Sequence, residues 1–123
     1  MHYTAPTSQE AKLVRCTRGK IFDVVLDLRP ASSSYRKWIS VELSADNGRA
    51  LYIPPGCAHG FQTLADDSEV LYQMNEAYQP EAARAVRWND PAFAIRWPLA
   101  DPILSEKDAK LPDFRPESQV SPT

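Results

Sequence analysis

Between Lys12 and Asn75 the chain alternates apolar and polar residues in short runs separated by turn residues, and this period of two predicts extended strands. "KLVRCT" forms the first run and stops at Gly19. "KIFDVVLDL" then places Phe22, Val24, Leu26 and Leu28 on one face and Ile21, Asp23, Val25 and Asp27 on the other. The second face is mixed rather than simply solvated. "RPASSS" at 29–34 reads as a loop, and "YRKWISVEL" resumes the alternation with Ile39, Val41 and Leu43 opposite Trp38, Ser40 and Glu42. Asn47-Gly48 predicts a hairpin turn leading into "RALYI". "PPGCAH" reads as a turn that sets His59 at a loop–strand junction, and "GFQTL" and "SEVLYQMN" are two further strands.

After Tyr78 the alternation stops, and a stretch dense in Pro, Trp and Asp predicts ordered loop over a sheet edge or cavity mouth, with a short helix near 104–110. Strands this short with turns this regular predict an all-β sandwich or barrel. The length of 123 residues fits one domain, read as 1–113 with a flexible polar tail over 114–123. The 11 prolines against 4 glycines argue in the same direction, because proline blocks helix interiors.

Charge narrows the partners. Lys and Arg total 14 and Asp and Glu 16, a formal net charge of -2, with no obvious basic face for a nucleic acid or an anionic membrane. No apolar run approaches the roughly 18 residues of a membrane span, and no signal-peptide pattern opens the sequence, so a soluble cytoplasmic protein is expected. Cys16 and Cys57 lie far apart and outside any CxxC pair, which points to neither a disulfide framework nor a zinc site.

The candidate chemistry is correspondingly limited. There are two histidines, His2 and His59, and no HxH pair, so no metal is expected. No GxSxG, GxGxxG or GxxxxGK[ST] motif occurs, which leaves acid–base work by His, Tyr, Asp and Lys. Taken one at a time, each candidate has a plain structural explanation. His2 sits where backbone order is usually poorest, Tyr72 in "EVLYQM" suits a core position, Lys12 suits a strand edge, and Asp108 suits a helix end.

Taken together and in order, "MHYTAP", "AKLVRCTRGKIFDVVLDLR", "KWISVELSADNGRALYIPPGCAHGFQTL", "EVLYQ", "RWNDPAFAIRWP" and "PILSEKD" resemble the dTDP-4-dehydrorhamnose 3,5-epimerase family. The resemblance runs over 1–113 and is carried most specifically by "VELSADN", "YIPPGCAHGF" and "RWNDP". It implies a cupin-like jelly roll, or double-stranded β-helix, that forms homodimers and inverts C3 and C5 of a nucleotide-linked 4-keto-6-deoxyhexose without metal or other cofactor. It further implies that His2, matching the histidine of the family's RGxHxQ motif, is the base, that Asp108 orients and charges it, and that Tyr72 is the acid. Lys12 and His59 match positions at the sugar, and Lys107 a position at the diphosphate.

The match begins inside the RGxHxQ motif, so an N-terminally short domain is expected. Thr4 stands at the usual Gln, Cys57 at a common aromatic, and Ala83 at a common acidic position of the nucleotide site. A truncated, catalytically silent domain that binds a sugar nucleotide or dimerises is the alternative reading.

Overall fold

A computed structural model describes residues 1–116. Eight strands form two antiparallel sheets: β1 (His2–Thr4), β2 (Lys12–Arg18), β3 (Lys20–Asp27), β4 (Trp38–Ser44), β5 (Ala50–Ile53), β6 (Cys57–Thr63), β7 (Glu69–Met74) and β8 (Ala83–Ala85). The larger sheet has the order β4-β3-β6-β1-β8 and the smaller the order β5-β2-β7. One short helix, α1 (Glu106–Ala109), follows within the stretch where a helix is predicted.

The two faces of β3 explain its mixed pattern. Ile21 and Val25 point between the sheets into a core with Val14, Cys16, Leu43, Ile53 and Cys57. Val24, Leu26 and Leu28 point the other way, into a second core with Met1, Ala58, Val86 and Phe93, against which Ile95, Trp97 and Phe114 pack. The larger sheet is therefore covered on both faces, by the smaller sheet on one side and by the segment beyond β8 on the other. That segment is pinned by polar contacts: the Trp38 indole donates to the Phe93 carbonyl at 3.1 Å, and the Trp97 indole to the Trp88 carbonyl at 2.8 Å. Asp90 accepts from the backbone N–H of Phe114 at 2.6 Å, so this residue, assigned from sequence to the tail, is packed; 117–123 lie outside the described residues.

Three expectations change. Asn47-Gly48 is not a hairpin turn, because β4 and β5 belong to different sheets. The Asn47 side chain accepts from the N–H groups of Ser44 and Arg49 and donates to the Glu42 carbonyl, turning the chain from one sheet to the other. His59 lies inside β6 rather than at its start, because Cys57, Ala58 and His59 already pair with Asp27, Leu26 and Val25 of β3. Tyr35 and Arg36 form a turn, with Arg36 at φ 67°, and β4 begins only at Trp38.

Candidate active site

Residues 1–4 acquire order from both sides. His2 pairs with His59 of β6 and with Ala85 of β8, and the Val86 N–H donates to the Met1 carbonyl at 2.8 Å. The Met1 side chain is buried in the outer core, against the open face of Gly60, where a Cβ would lie 2.8 Å from Met1 Cγ. A glycine in β6 thus makes room for the residue that anchors the strand carrying His2.

Beside that core, a cavity of about 730 Å³ opens between the sheets and the segment 97–108, and Met1 and Trp97 line it as well. The volume lies within the usual size range of small-molecule sites. His2, Lys12, His59, Tyr72 and Asp108 all line it. Its outer wall is tied to β6 by Gln62, whose side chain donates to the Leu99 carbonyl at 3.0 Å and accepts from the Leu99 N–H at 2.9 Å.

His2 Nε2 lies 3.1 Å from Asp108 Oδ1. Asp108 is held by the cap of α1, its N–H donating to Ser105 Oγ at 3.2 Å. Burial lowers the His2 pKa below the ordinary histidine value, the neighbouring amino terminus adds to the effect, and Asp108 opposes both. For Asp108, burial pushes upward but is outweighed by His2, so its carboxyl lies below the usual range. The pair combines an imidazole that is neutral near pH 7 with a carboxylate ready to stabilise the imidazolium, which is the requirement for a general base.

Lys12 opens β2, and burial lowers its pKa. It pairs across the sheet with Met74, and Val14 pairs with Tyr72, so Lys12 and Tyr72 project from neighbouring strands toward the same cavity. The Tyr72 hydroxyl is pushed up to about 12 by burial and by the charge of Asp23, which keeps it a proton donor. Its ring meets the His59 ring edge-on, with centroids 5.8 Å apart.

His59 is nearly fully buried, and its Nε2 makes a short contact to Asp23 Oδ1. Asp23 is wholly inaccessible, and its second oxygen has no hydrogen-bond partner among the described residues. An ionisable pair at this depth is costly, and of the two only His59 reaches the cavity lining, with Asp23 behind it. No sequence motif marks Asp23; its one local signal is an aspartate between Ile21 and Val25 on the mixed face of β3. Lys107 stands apart from the other candidates, exposed on α1 and outside the cavity lining. Among the described residues no group of three His, Cys, Asp or Glu side chains is placed to hold a metal ion, and no helix is long and apolar enough to cross a membrane.

This arrangement of base, carboxylate, phenol and cation can be set beside known proteins. A family profile described as dTDP-4-dehydrorhamnose 3,5-epimerase matches residues 1–116. The chain belongs to the dTDP-4-dehydrorhamnose 3,5-epimerase family. It is 45% identical over 115 residues to the dTDP-4-dehydrorhamnose 3,5-epimerase of Sinorhizobium fredii, an alignment covering 93% of this chain and 59% of that protein. A Bacillus anthracis 3,5-epimerase of the family, solved with TDP and PPi bound, superposes with a TM-score of 0.88 at 42% identity, covering 92% of this chain and 65% of that one. A Legionella pneumophila 3,5-epimerase in complex with dTDP-4-keto-L-rhamnose superposes with a TM-score of 0.82 at 34% identity, covering 93% and 66%. The two-sheet architecture is thus the cupin-like jelly roll of these epimerases. The chain spans about three-fifths of the length of the curated relatives it matches.

Proposed function

We propose that this chain carries the proton-transfer centre of an enzyme that epimerises a dTDP-4-keto-6-deoxyhexose at C3 and C5, the inversion that leads toward dTDP-L-rhamnose. The observation that supports this reading is the convergence of the His2–Asp108 pair, Lys12 and Tyr72 on one cavity in a chain of this family. The C4 ketone acidifies the hydrogens on both neighbouring carbons. His2 removes one as a proton, and the electron pair moves onto the C4 oxygen. Lys12 and His59 stabilise the oxygen's developing charge, and Tyr72 returns a proton from the opposite face. The ketone supplies the acidification, so the reaction requires no cofactor. Lys107 reaches a diphosphate only from outside the rim, beside Asp108.

Residues 1–113 act in this reading as one domain. A homodimer is supported by the outward face of the smaller sheet, where Leu13, Tyr52 and Leu71 stay exposed in neighbouring register positions. Sedimentation equilibrium tests it. A cytoplasmic setting is supported by two buried free thiols and tested by fractionation.

The central test is solvent deuterium exchange at C3 and C5 of dTDP-4-keto-6-deoxyglucose, followed by NMR. Incorporation at both carbons, abolished in His2→Asn, is the expected result. No incorporation above buffer sinks the catalytic reading, and stabilisation by dTDP in that case points to a binding domain.

A further inference from the structure

Between Trp97 and the cap of α1 the chain crosses the outer wall of the cavity as a strap with little of its own to hold it. Leu99, Ala100, Asp101, Ile103 and Leu104 are all exposed, and no strand or helix forms before Glu106. Yet this strap delivers Asp108 to His2. The ion pair does not account for that placement, because both side chains are partly exposed and a pair screened by water contributes little toward holding a chain. The strap is fastened instead on either side of α1. Downstream, Arg87 pairs with Asp113 at 2.8 Å and Asp90 accepts from the Phe114 N–H. Upstream, Gln62 grips Leu99.

Gln62 is buried, and alternation along β6 puts it on the same face as Ala58 and Gly60, against the outer core. Its register partner, Phe22, meets the Trp97 ring edge-on, so the strap leaves the sheet from a packed point. An amide side chain carries both a donor and an acceptor, and here both go to one residue, the donor to the Leu99 carbonyl and the acceptor to the Leu99 N–H. That pairing fixes the direction of the strap as well as its distance from β6.

We propose that Gln62 is a positioning residue for the base of this site: by gripping Leu99 it sets where the strap comes down, and so holds the Asp108 carboxylate against His2. The role of His2 as base rests on the epimerase reading above. The charged groups that face His2 are Asp108 on α1, Lys12 on β2 and the adjacent amino terminus, with His59 across the ladder on β6 and the uncharged Ala85 on β8. Of these, Asp108 alone is carried by the strap.

The test asks how strongly His2 responds to the charge of Asp108. The His2 ring signal, assigned by its loss in His2→Asn, is titrated by NMR in wild type, Asp108→Asn, Gln62→Met and the double variant. Asp108 raises the His2 midpoint, so Asp108→Asn lowers it in the wild-type background. Beside Gln62→Met, which keeps length and bulk and loses both hydrogen bonds, the same substitution should lower it by no more than about half as much. Comparison within each background removes any change in the burial of His2 that Gln62→Met itself brings. An undiminished response overturns the proposal. The folded-state signal alone is read, and if Gln62→Met does not fold, Gln62→Glu takes its place with the same expectation, since it keeps an acceptor for the Leu99 N–H and loses the donor to the carbonyl.

Deuterium exchange into dTDP-4-keto-6-deoxyglucose gives a second readout. Asp108→Asn is expected to cost about 10- to 100-fold in the wild-type background and no more than about threefold beside Gln62→Met. Full loss in both backgrounds, the result for a residue that only stabilises the fold, overturns the proposal. Absence of exchange in the wild-type protein counts against the epimerase reading, and the His2 titration then decides the placement of Asp108 by itself.

Discussion

Replacing Asp108 by asparagine removes a charge beside His2 and changes little of the shape. Ser105 still caps α1 through the residue 108 N–H, and an amide oxygen can still accept from the imidazole across the 3.1 Å contact. What is lost is attraction for the imidazolium that forms as a proton is taken. Two unit charges 3.1 Å apart attract by about 1.3 kcal/mol at the dielectric constant of water and by about 5 kcal/mol at an effective constant of 20. The side chains of His2 and Asp108 are 54% and 31% exposed, which places the pair nearer the screened limit. The expected loss is therefore about 10- to 100-fold in the rate of deuterium exchange at both carbons, since about 1.4 kcal/mol is tenfold.

The direction of the pH profile follows as well. The acid limb reports protonation of the free base, and burial already sets the His2 pKa below the ordinary value. Asp108 works to raise it, so Asp108→Asn lowers it further, and the limb moves to lower pH while the plateau falls. The assay is the exchange rate between pH 5 and 9 by NMR. A plateau within twofold of wild type, or an acid limb displaced upward, would refute the role given to the pair.

Three further outcomes are expected. Tyr72→Phe should retain deuterium exchange while losing inversion by about 100-fold or more, and because the phenol is pushed up to about 12, wild-type inversion should show no basic limb from Tyr72 below about pH 10; equal loss of both activities would contradict the division of labour. Gly60→Ala places a methyl 2.8 Å from Met1 Cγ and should displace β1, cutting exchange by about tenfold or more at a stability cost of about 1–3 kcal/mol in urea titration, and an unchanged rate would show that β1 yields without moving His2. Leu26→Ala empties a fully buried site in the outer core and should cost about 2–5 kcal/mol by the same titration, so a loss below 1 kcal/mol would mean that this core collapses around the gap.

The parts of the fold legible in the sequence are those where one strand's own alternation meets one environment. β3 is the clearest case, since its two apolar faces correspond to two cores. β1 and β8 are three residues each and carry no local strand signal, because their existence depends on partners far away in the sequence. Asn47-Gly48 misled for the related reason that a turn signal fixes local dihedrals and not which sheet receives the next strand. At the site, the family motifs named His2, Tyr72 and Asp108, and the fold brings them to one cavity with Lys12 and His59. Asp23 was not singled out because alternation assigns it a face but says nothing of depth. The resemblance puts Lys107 at the diphosphate, but it stands next to Asp108 on a one-turn helix, where neighbouring positions point to different sides, and it lies outside the cavity lining.

The placement of β1 also bears on how the site comes into being. Its strand partners are β6 and β8, so His2 gains a defined position only after the chain has folded back over loops reaching to His59 and Ala85. Closing loops of that length is entropically unfavourable until the two sheets exist to receive the strand. His2 is therefore expected to dock late, onto a barrel already closed, and under the proposed function deuterium exchange would report on complete folding rather than on the presence of the core alone.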